Sequence, residues 1–167
     1  MALTDHFLDS DDTHPIDVVE HLAAHHDWEF DRIAEDQIAM AVEGQWRTYA
    51  ITLAWSAQDQ TLRLICTFEM EPPEARMGAL YEILNRINDL CWAGSMTWWA
   101  EQRMMVYRYG LILAGEQIAA PEQVDTMIRA AVQACERYYP ALQLVTWAER
   151  SPADALQVAI AEAYGRA

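Results

Sequence analysis

The chain has 167 residues, 53% of them apolar, and carries a formal net charge of −15 with 11 arginines and no lysine. This length predicts one domain with its own core. Nucleic acids and anionic membrane surfaces are bound by clustered positive charge, which the sequence does not contain, so we expect neither as a partner.

The N-terminus predicts the location and the domain boundary. Residues 1–12 are polar, and we interpret them as a mobile segment before a single domain at residues 13–167. They contain no basic start followed by an apolar stretch, and no run approaches the ~18–20 apolar residues of a membrane span. We therefore expect a cytoplasmic protein. The acidic excess is greatest from Asp5 to Asp36, where docking of a basic partner is an alternative to a solubilising role.

The first predicted helix begins at Thr13-His14-Pro15, with threonine at or near the N-cap and proline in the first turn. Its apolar stripe is Ile16, Val19 and Leu22. His21 and His25 lie off this stripe, on a face that we expect to be exposed.

The two histidines resemble part of a metal site because a spacing of four residues places them on one helical face, as in the zinc-protease pattern H-E-x-x-H. The residue after His21 is Leu22, where those enzymes have a glutamate as general base. His26 lies roughly 100° further round the helix and supplies no third ligand on the same face. We expect no metal and no other cofactor. The alternative is a small metal-dependent hydrolase that uses these N-terminal histidines.

Alternating apolar residues predict a meander of strands after this helix. A short strand is indicated at residues 28–30, and Gly44-Gln45 predicts a two-residue turn that would place Glu43 opposite Trp46. The strand after this turn is followed by a returning strand at residues 62–70, whose alternate residues are polar. That pattern is typical of a sheet covered on one side.

The second half of the chain predicts helices and a further hairpin. A helix is indicated from Glu74 to Gly94, a hairpin at residues 96–113, and a third helix from Pro121 that must bend or break near Pro140. A short helix restarts at Ser151. The stripe of the Glu74 helix is Met77, Leu80, Tyr81, Leu84, Ile87 and Cys91. The elements predict an α+β fold, in which helices pack mainly on one face of an antiparallel sheet made of a meander plus a hairpin.

Catalytic signatures are missing from the sequence. It contains neither a glycine-rich phosphate loop nor a G-x-S-x-G nucleophile motif. Cys66, Cys91 and Cys135 each lie in an apolar context, which indicates core residues rather than nucleophiles, disulfides or metal ligands. We expect no catalytic residues.

Three segments carry a resemblance to a known family: Leu84–Asn88, Gly94–Trp98 and Val106–Tyr109. In their order and spacing they resemble the bacterial YbjN family, over roughly residues 14–145. The resemblance implies a fold like that of type III secretion chaperones and a link to sensory or stress regulation, with no catalytic residues. It predicts a non-enzymatic, chaperone-like or regulatory protein that binds other proteins. The final helix, Ser151 to Gly165, extends beyond the pattern.

Adjacent tryptophans in the second hairpin indicate where a partner binds. Successive strand residues point to opposite faces of a sheet, so Trp98 and Trp99 cannot both enter one core. A turn at Glu101-Gln102 would place Trp99 opposite Met104, on the face away from the helices. The predicted partner-binding residues are Trp46, Ile65, Trp99, Met104, Val106 and Arg108, since Trp, Arg and Met are favoured at protein interfaces.

We expect this face to form a homodimer contact or to receive a segment of an unknown protein partner. One alternative is that loops or the C-terminal helix cover Trp99. Another is that the protein binds an apolar small molecule between the sheet and the helices.

Overall fold

Six strands form one antiparallel sheet in the computed structural model, which describes residues 14–165 and the side chains as far as residue 161. The strands are β1 (Glu29–Ala34), β2 (Gln37–Glu43), β3 (Thr48–Ser56), β4 (Thr61–Glu69), β5 (Ser95–Trp99) and β6 (Met104–Ile112). Their order is β1-β2-β3-β4-β6-β5, so the predicted meander is extended at β4 by the predicted hairpin. The predicted mobile segment at residues 1–12 lies outside the described residues.

Within the described part of the chain, three helices pack directly on one face of this sheet and a fourth packs on two of them. They are α1 (Pro15–His25), α2 (Met77–Leu90), α3 (Pro121–Trp147) and α4 (Pro152–Gly165). Every second residue along most of β2, β3 and β4 is buried against them. The predicted α+β class is confirmed, whereas the likeness to secretion chaperones stays a prediction. None of the helices between residues 14 and 165 is both long and apolar enough to cross a membrane.

Helix α1 buries the predicted stripe of Ile16, Val19 and Leu22. Its N-cap is His14, whose Nδ1 accepts a hydrogen bond from the Ile16 N–H at 3.2 Å. Thr13, the predicted cap, lies outside the described residues.

The connection between β2 and β3 differs from the predicted two-residue turn. Glu43 lies opposite Thr48 rather than Trp46, so the loop comprises Gly44 to Arg47 and the register is shifted by two residues. A shift of two keeps each side chain on its predicted face.

A carboxylate on α3 accounts for the longer loop. The Glu136 carboxylate accepts hydrogen bonds from the backbone N–H groups of Gln45 (3.0 Å) and Trp46 (3.3 Å) and from the Tyr49 hydroxyl (2.6 Å). A Cβ atom at Gly44 would lie 2.6 Å from the Tyr49 ring, so the close approach requires glycine. Local turn chemistry could not predict this register, because the group that fixes it is distant in sequence.

Helix α2 begins three residues later than predicted, after a 3-10 turn at Glu74–Arg76, and ends at Leu90 rather than Gly94. Tyr81, predicted to be in its apolar stripe, is 55% exposed, and Ile83 is buried instead. Gly94 has a φ of +112°, and it directs the chain from the helix into β5 rather than ending the helix.

Helix α3 runs from Pro121 to Trp147 through Pro140, so of the predicted bend or break, the break does not occur. Burial on both sides of the proline, including Tyr138 and Leu142, stabilises the helix despite the lost N–H donor. Arg76 donates to the carbonyl oxygens of Val145 (2.9 Å) and Arg150 (2.8 Å), which fixes the corner that leads into α4.

Helix α4 begins near the predicted Ser151 and packs against α2 and α3. Its buried residues include Ala155 and Ala159. It therefore extends the helical layer rather than lying over Trp99.

Substitutions in α1 test which side of this helix faces the core. Replacing both His21 and His25 with Gln should change the free energy of unfolding by no more than about 0.5 kcal/mol, as at ordinary surface positions. Leu22→Ala should lower it by about 2–5 kcal/mol, because Leu22 is 1% exposed. Denaturant titration measures both, and the reverse order would contradict the orientation of α1.

The contribution of Glu136 can be measured in the same way. Glu136→Ala should destabilise the protein by about 1–3 kcal/mol, since it leaves the loop amides without their charged acceptor. Glu43→Ala, in the same hairpin but at an exposed position, is the matched control and should have little effect. Equal midpoints for the two variants would show that Glu136 does not anchor the loop.

Candidate functional site: the uncovered sheet face

The face of the sheet away from the helices, called the open face below, is built from alternate residues of all six strands. Its members include Glu29, Asp31, Ala39, Ala41, Thr48, Ala50, Thr52, Arg63, Ile65, Thr67, Ser95, Thr97, Trp99, Met104, Val106 and Arg108. The middle of the face, on β2 and β3, consists of alanine and threonine. Such small side chains leave a low-relief surface on which another structure can pack closely.

Five of the six predicted site residues lie together on the open face. Ile65 on β4 is opposite Arg108 on β6, and Trp99 on β5 is opposite Met104 on β6, in the register predicted for the hairpin. Trp99, Met104 and Ile65 are partly exposed and Arg108 is exposed.

Two of the predicted residues are placed differently from expectation. Val106 is fully buried between Thr67 and Thr97 on the neighbouring strands, so it supports the open face without offering contact area. Trp46 lies in the β2–β3 loop rather than on a strand, with its backbone N–H bound by Glu136. It is 45% exposed and does not belong to the open face.

A depression of about 680 Å³ lies at the β4–β6–β5 end of the open face. Its lining includes Arg63, Ile65, Trp99, Arg108 and Gly110. Gly110 has no side chain, so the surface falls away between the two arginines. The depression therefore combines an aromatic ring, an aliphatic side chain and two cations.

Exposed charges on the open face include oppositely charged residues at the two ends of one cross-strand row, besides Glu43 on β2 and Glu69 on β4. Glu29 and Asp31 are exposed on the edge strand β1, whereas Arg108 is exposed on β6. Asp31 and Arg108 belong to one cross-strand row, in which Ala39, Thr52 and Ile65 lie between them. Among the described residues, neither of them forms an ion pair or a side-chain hydrogen bond. Both charges are available to a partner.

Sequence reasoning missed the acidic end of this face. The signal was present, because a strand that turns Trp28 and Phe30 towards the core must turn Glu29 and Asp31 the other way. The cross-strand row that joins Asp31 to Arg108 depends on the order of the strands in the sheet. This order cannot be predicted from the residue pattern within each strand.

The histidines of α1 are not arranged as a metal site in the described structure. His21 and His25 are exposed, while His26 stacks on Trp28 at 4.5 Å and its Nε2 lies 3.0 Å from an Asp125 carboxylate oxygen. Within residues 14–165, no group of three or more His, Cys, Asp or Glu side chains could hold a metal ion.

Two of the cysteines, Cys91 and Cys135, lie in environments that disfavour the reactive thiolate. Cys66 and Cys135 are buried, with their sulfur atoms 3.7 Å apart. The hydrogen bond with Cys66, together with burial, raises the pKa of Cys135, and burial raises the pKa of Cys91. Neutral buried thiols are weak nucleophiles. These two thiols are therefore poorly suited to act as nucleophiles.

Comparison with known proteins identifies relatives at two levels. The model of the YbjN family, described as "Putative bacterial sensory transduction regulator", matches residues 15–144. The solved structure described as "Crystal structure of YbjN, a putative transcription regulator from E. coli" is similar with a TM-score of 0.52 and 12% identity, covering 80% of this chain and 90% of that one. At this identity the similarity shows the fold alone. No curated protein sequence matches the chain.

Shortening two side chains of the open face should separate binding from folding. In a Trp99→Ala, Met104→Ala double variant, we expect cooperative unfolding at a denaturant concentration close to that of the original protein, because both side chains are only partly buried. The oligomeric state, measured by sedimentation, should change. Unfolding at a much lower denaturant concentration would show that these side chains belong to the core.

Proposed function

The chain belongs to the YbjN family, and from this membership we propose that it is a regulatory protein that acts by binding proteins rather than by catalysing a reaction. The open face supports the proposal, because the described helices leave it uncovered and its side chains are available for contact with another protein. The raised pKa values of the Cys91 and Cys135 thiols agree with it.

We further propose that a second copy of the chain occupies the open face. The supporting observation is the row that runs from Asp31 on β1 to Arg108 on β6. A two-fold axis parallel to the strands and passing near the middle of this row would reverse the strand order of the second copy. Asp31 of each copy would then lie near Arg108 of the other.

The centre of such a dimer would be formed by the small side chains of the open face. Sheets that pack face to face lie about 10 Å apart, with side chains interdigitating between them. Alanine and threonine at Ala39, Ala50 and Thr52 allow that approach, and a two-fold interface requires one surface to complement itself. Trp99 and Met104 would fill space at the margin.

The size of the face predicts a reversible contact. Six strands at the usual spacing give a face of about 25 Å by 20 Å, or roughly 1,000 Å² buried in total by two copies. This lies at the lower limit for specific protein interfaces. A dimer of this size would dissociate and reassociate readily, which suits a regulator that exchanges its own interface for another partner.

We also propose that the fold is like that of type III secretion chaperones and that the protein is located in the cytoplasm.

Charge reversal at the two ends of the row tests the dimer. Arg108→Glu should weaken dimerisation about tenfold or more, because it places like charges together across the interface. Combining Arg108→Glu with Asp31→Arg should restore the original dissociation constant, since opposite charges again meet across the interface, with the positive charge now on β1 and the negative charge on β6. Sedimentation at several protein concentrations measures these constants, and added salt should weaken the original contact.

Arg103→Glu provides the control. Arg103 is exposed in the β5–β6 loop, so its reversal changes the net charge equally without altering the row. Dimerisation should be almost unchanged in this variant. If the double variant stays as weak as Arg108→Glu, the two side chains do not meet and the proposed interface is wrong.

A further inference from the structure

The free edge of β6 is a second binding feature, which borders the open face. β6 extends from Met104 to Ile112, but β5 pairs only with its first part, from Met104 to Arg108. β4 pairs with β6 along its whole length. The segment from Tyr109 to Ile112 therefore has a strand on one side only.

The alternation of backbone hydrogen bonds along β6 shows which N–H and C=O groups face this edge. Opposed residues of an antiparallel pair exchange either both backbone hydrogen bonds or none, in alternation. Leu113 N–H donates to the Gln60 carbonyl at 2.8 Å, so Leu111 and Tyr109 bond towards β4. Gly110 and Ile112 must direct their N–H and C=O groups to the other side.

The neighbouring loop leaves this edge open. Gly94 lies against Tyr107 and the Arg108 carbonyl of β6, and the β5 pairing goes no further along β6 than Arg108. Trp92, in the same loop, is 98% exposed. Gly110 is exposed and Ile112 is 71% exposed. Within residues 14–165, the backbone N–H and C=O groups of Gly110 and Ile112, which point away from β4, form no backbone hydrogen bond.

Depressions border this edge on both faces of the sheet. On the helical side, one of about 350 Å³ is lined mainly by apolar side chains, including Tyr109, Leu111, Met127 and Ala130. On the other side, the depression of the open face reaches Gly110 and Arg63. A strand added at the edge would direct its side chains alternately into the two depressions.

We propose that the edge from Tyr109 to Ile112 binds an extended segment of a partner protein, in which a carboxylate residue lies between two apolar residues. Residues opposite Tyr109 and Leu111 would insert apolar side chains on the helical side. The residue opposite Gly110 would lie on the other side, and because Gly110 has no side chain it can reach Arg63, which is paired with Gly110 on β4.

Arg63 complements the charge of this central residue. It pairs with Asp59 in the β3–β4 turn, but both side chains are at least half exposed, and such surface pairs are weak. An incoming carboxylate can therefore bind the same guanidinium. Main-chain hydrogen bonds would provide the affinity, and the alternating side chains would provide the selectivity, as in other cases of strand addition.

The inference rests on the proposed protein-binding role and identifies the chemistry of the partner. Its test uses the full chain and a short fluorescein-labelled peptide in which leucine and glutamate alternate, with a lysine-for-glutamate analogue for comparison. Fluorescence anisotropy should show that the glutamate peptide binds at least about tenfold more tightly, a difference of about 1.4 kcal/mol. Binding should also slow hydrogen exchange at the amides of Gly110 and Ile112.

Two variants identify the edge. Gly110→Pro removes one N–H group and should weaken binding at least about tenfold. Arg63→Glu should reverse the preference, so that the lysine peptide binds more tightly. Arg86→Glu is the matched control, because Arg86 is also exposed and pairs with a carboxylate four residues away. It should leave the preference unchanged. If Gly110→Pro does not fold, Arg63→Glu decides the question.

Other outcomes would overturn the inference. These are binding of neither peptide, equal binding by Arg63→Glu and the original protein, or binding without slower exchange at Gly110 and Ile112. Sedimentation of the same samples reports separately on the open face. An intact dimer that binds no peptide would contradict the edge site alone, and a monomer that binds the peptide would contradict the dimer alone.

Discussion

The one-sided packing of helices on the sheet is the constraint on which the rest of the structure depends. Side chains alternate between the two faces of every strand, so covering one face divides the residues of six strands into a buried set and an uncovered set. The buried set includes Ile38, Ile51 and Leu64, each at most 1% exposed. The uncovered set is polar or small in its middle, as at Ala50 and Thr52. This composition keeps the open face soluble while allowing another sheet to approach it.

Polar side chains hold the helical layer in one position on that sheet. Arg32 on β1 pairs with Asp17 and Glu20 of α1, the latter at 2.9 Å. Glu136 of α3 binds the β2–β3 loop, where burial and this hydrogen bond raise the pKa of Tyr49. Arg76 binds carbonyl oxygens where α3 ends. The first two contacts join helices to β1 and to the β2–β3 loop, and the third joins the start of α2 to the end of α3, so the position of the helices on the sheet depends on residues outside the open face.

Much of the fold could be predicted from local patterns, and the errors have tertiary causes. The alternation of side chains along each strand predicted the strands and the pairing of Trp99 with Met104, because both depend on residues that are close in sequence. The position of Trp46 could not be predicted, since a carboxylate about ninety residues away, Glu136, sets that loop. The continuity of α3 at Pro140 follows from burial on both sides. The burial of Val106 and the row from Asp31 depend on the order of strands across the whole sheet.

Cross-linking between engineered cysteines tests most directly whether two copies meet through their open faces. Within one chain, the Cα atoms of Asp31 and Arg108 are four strand spacings apart, about 19 Å, whereas in two sheets packed face to face they would lie about 10 Å apart. In a protein with Cys91→Ser, the combination of Asp31→Cys and Arg108→Cys should form covalent dimers with a bis-maleimide reagent whose reach matches the shorter distance, and either substitution alone should not. Monomers alone on a non-reducing gel, from a protein that is folded and concentrated, would contradict the account.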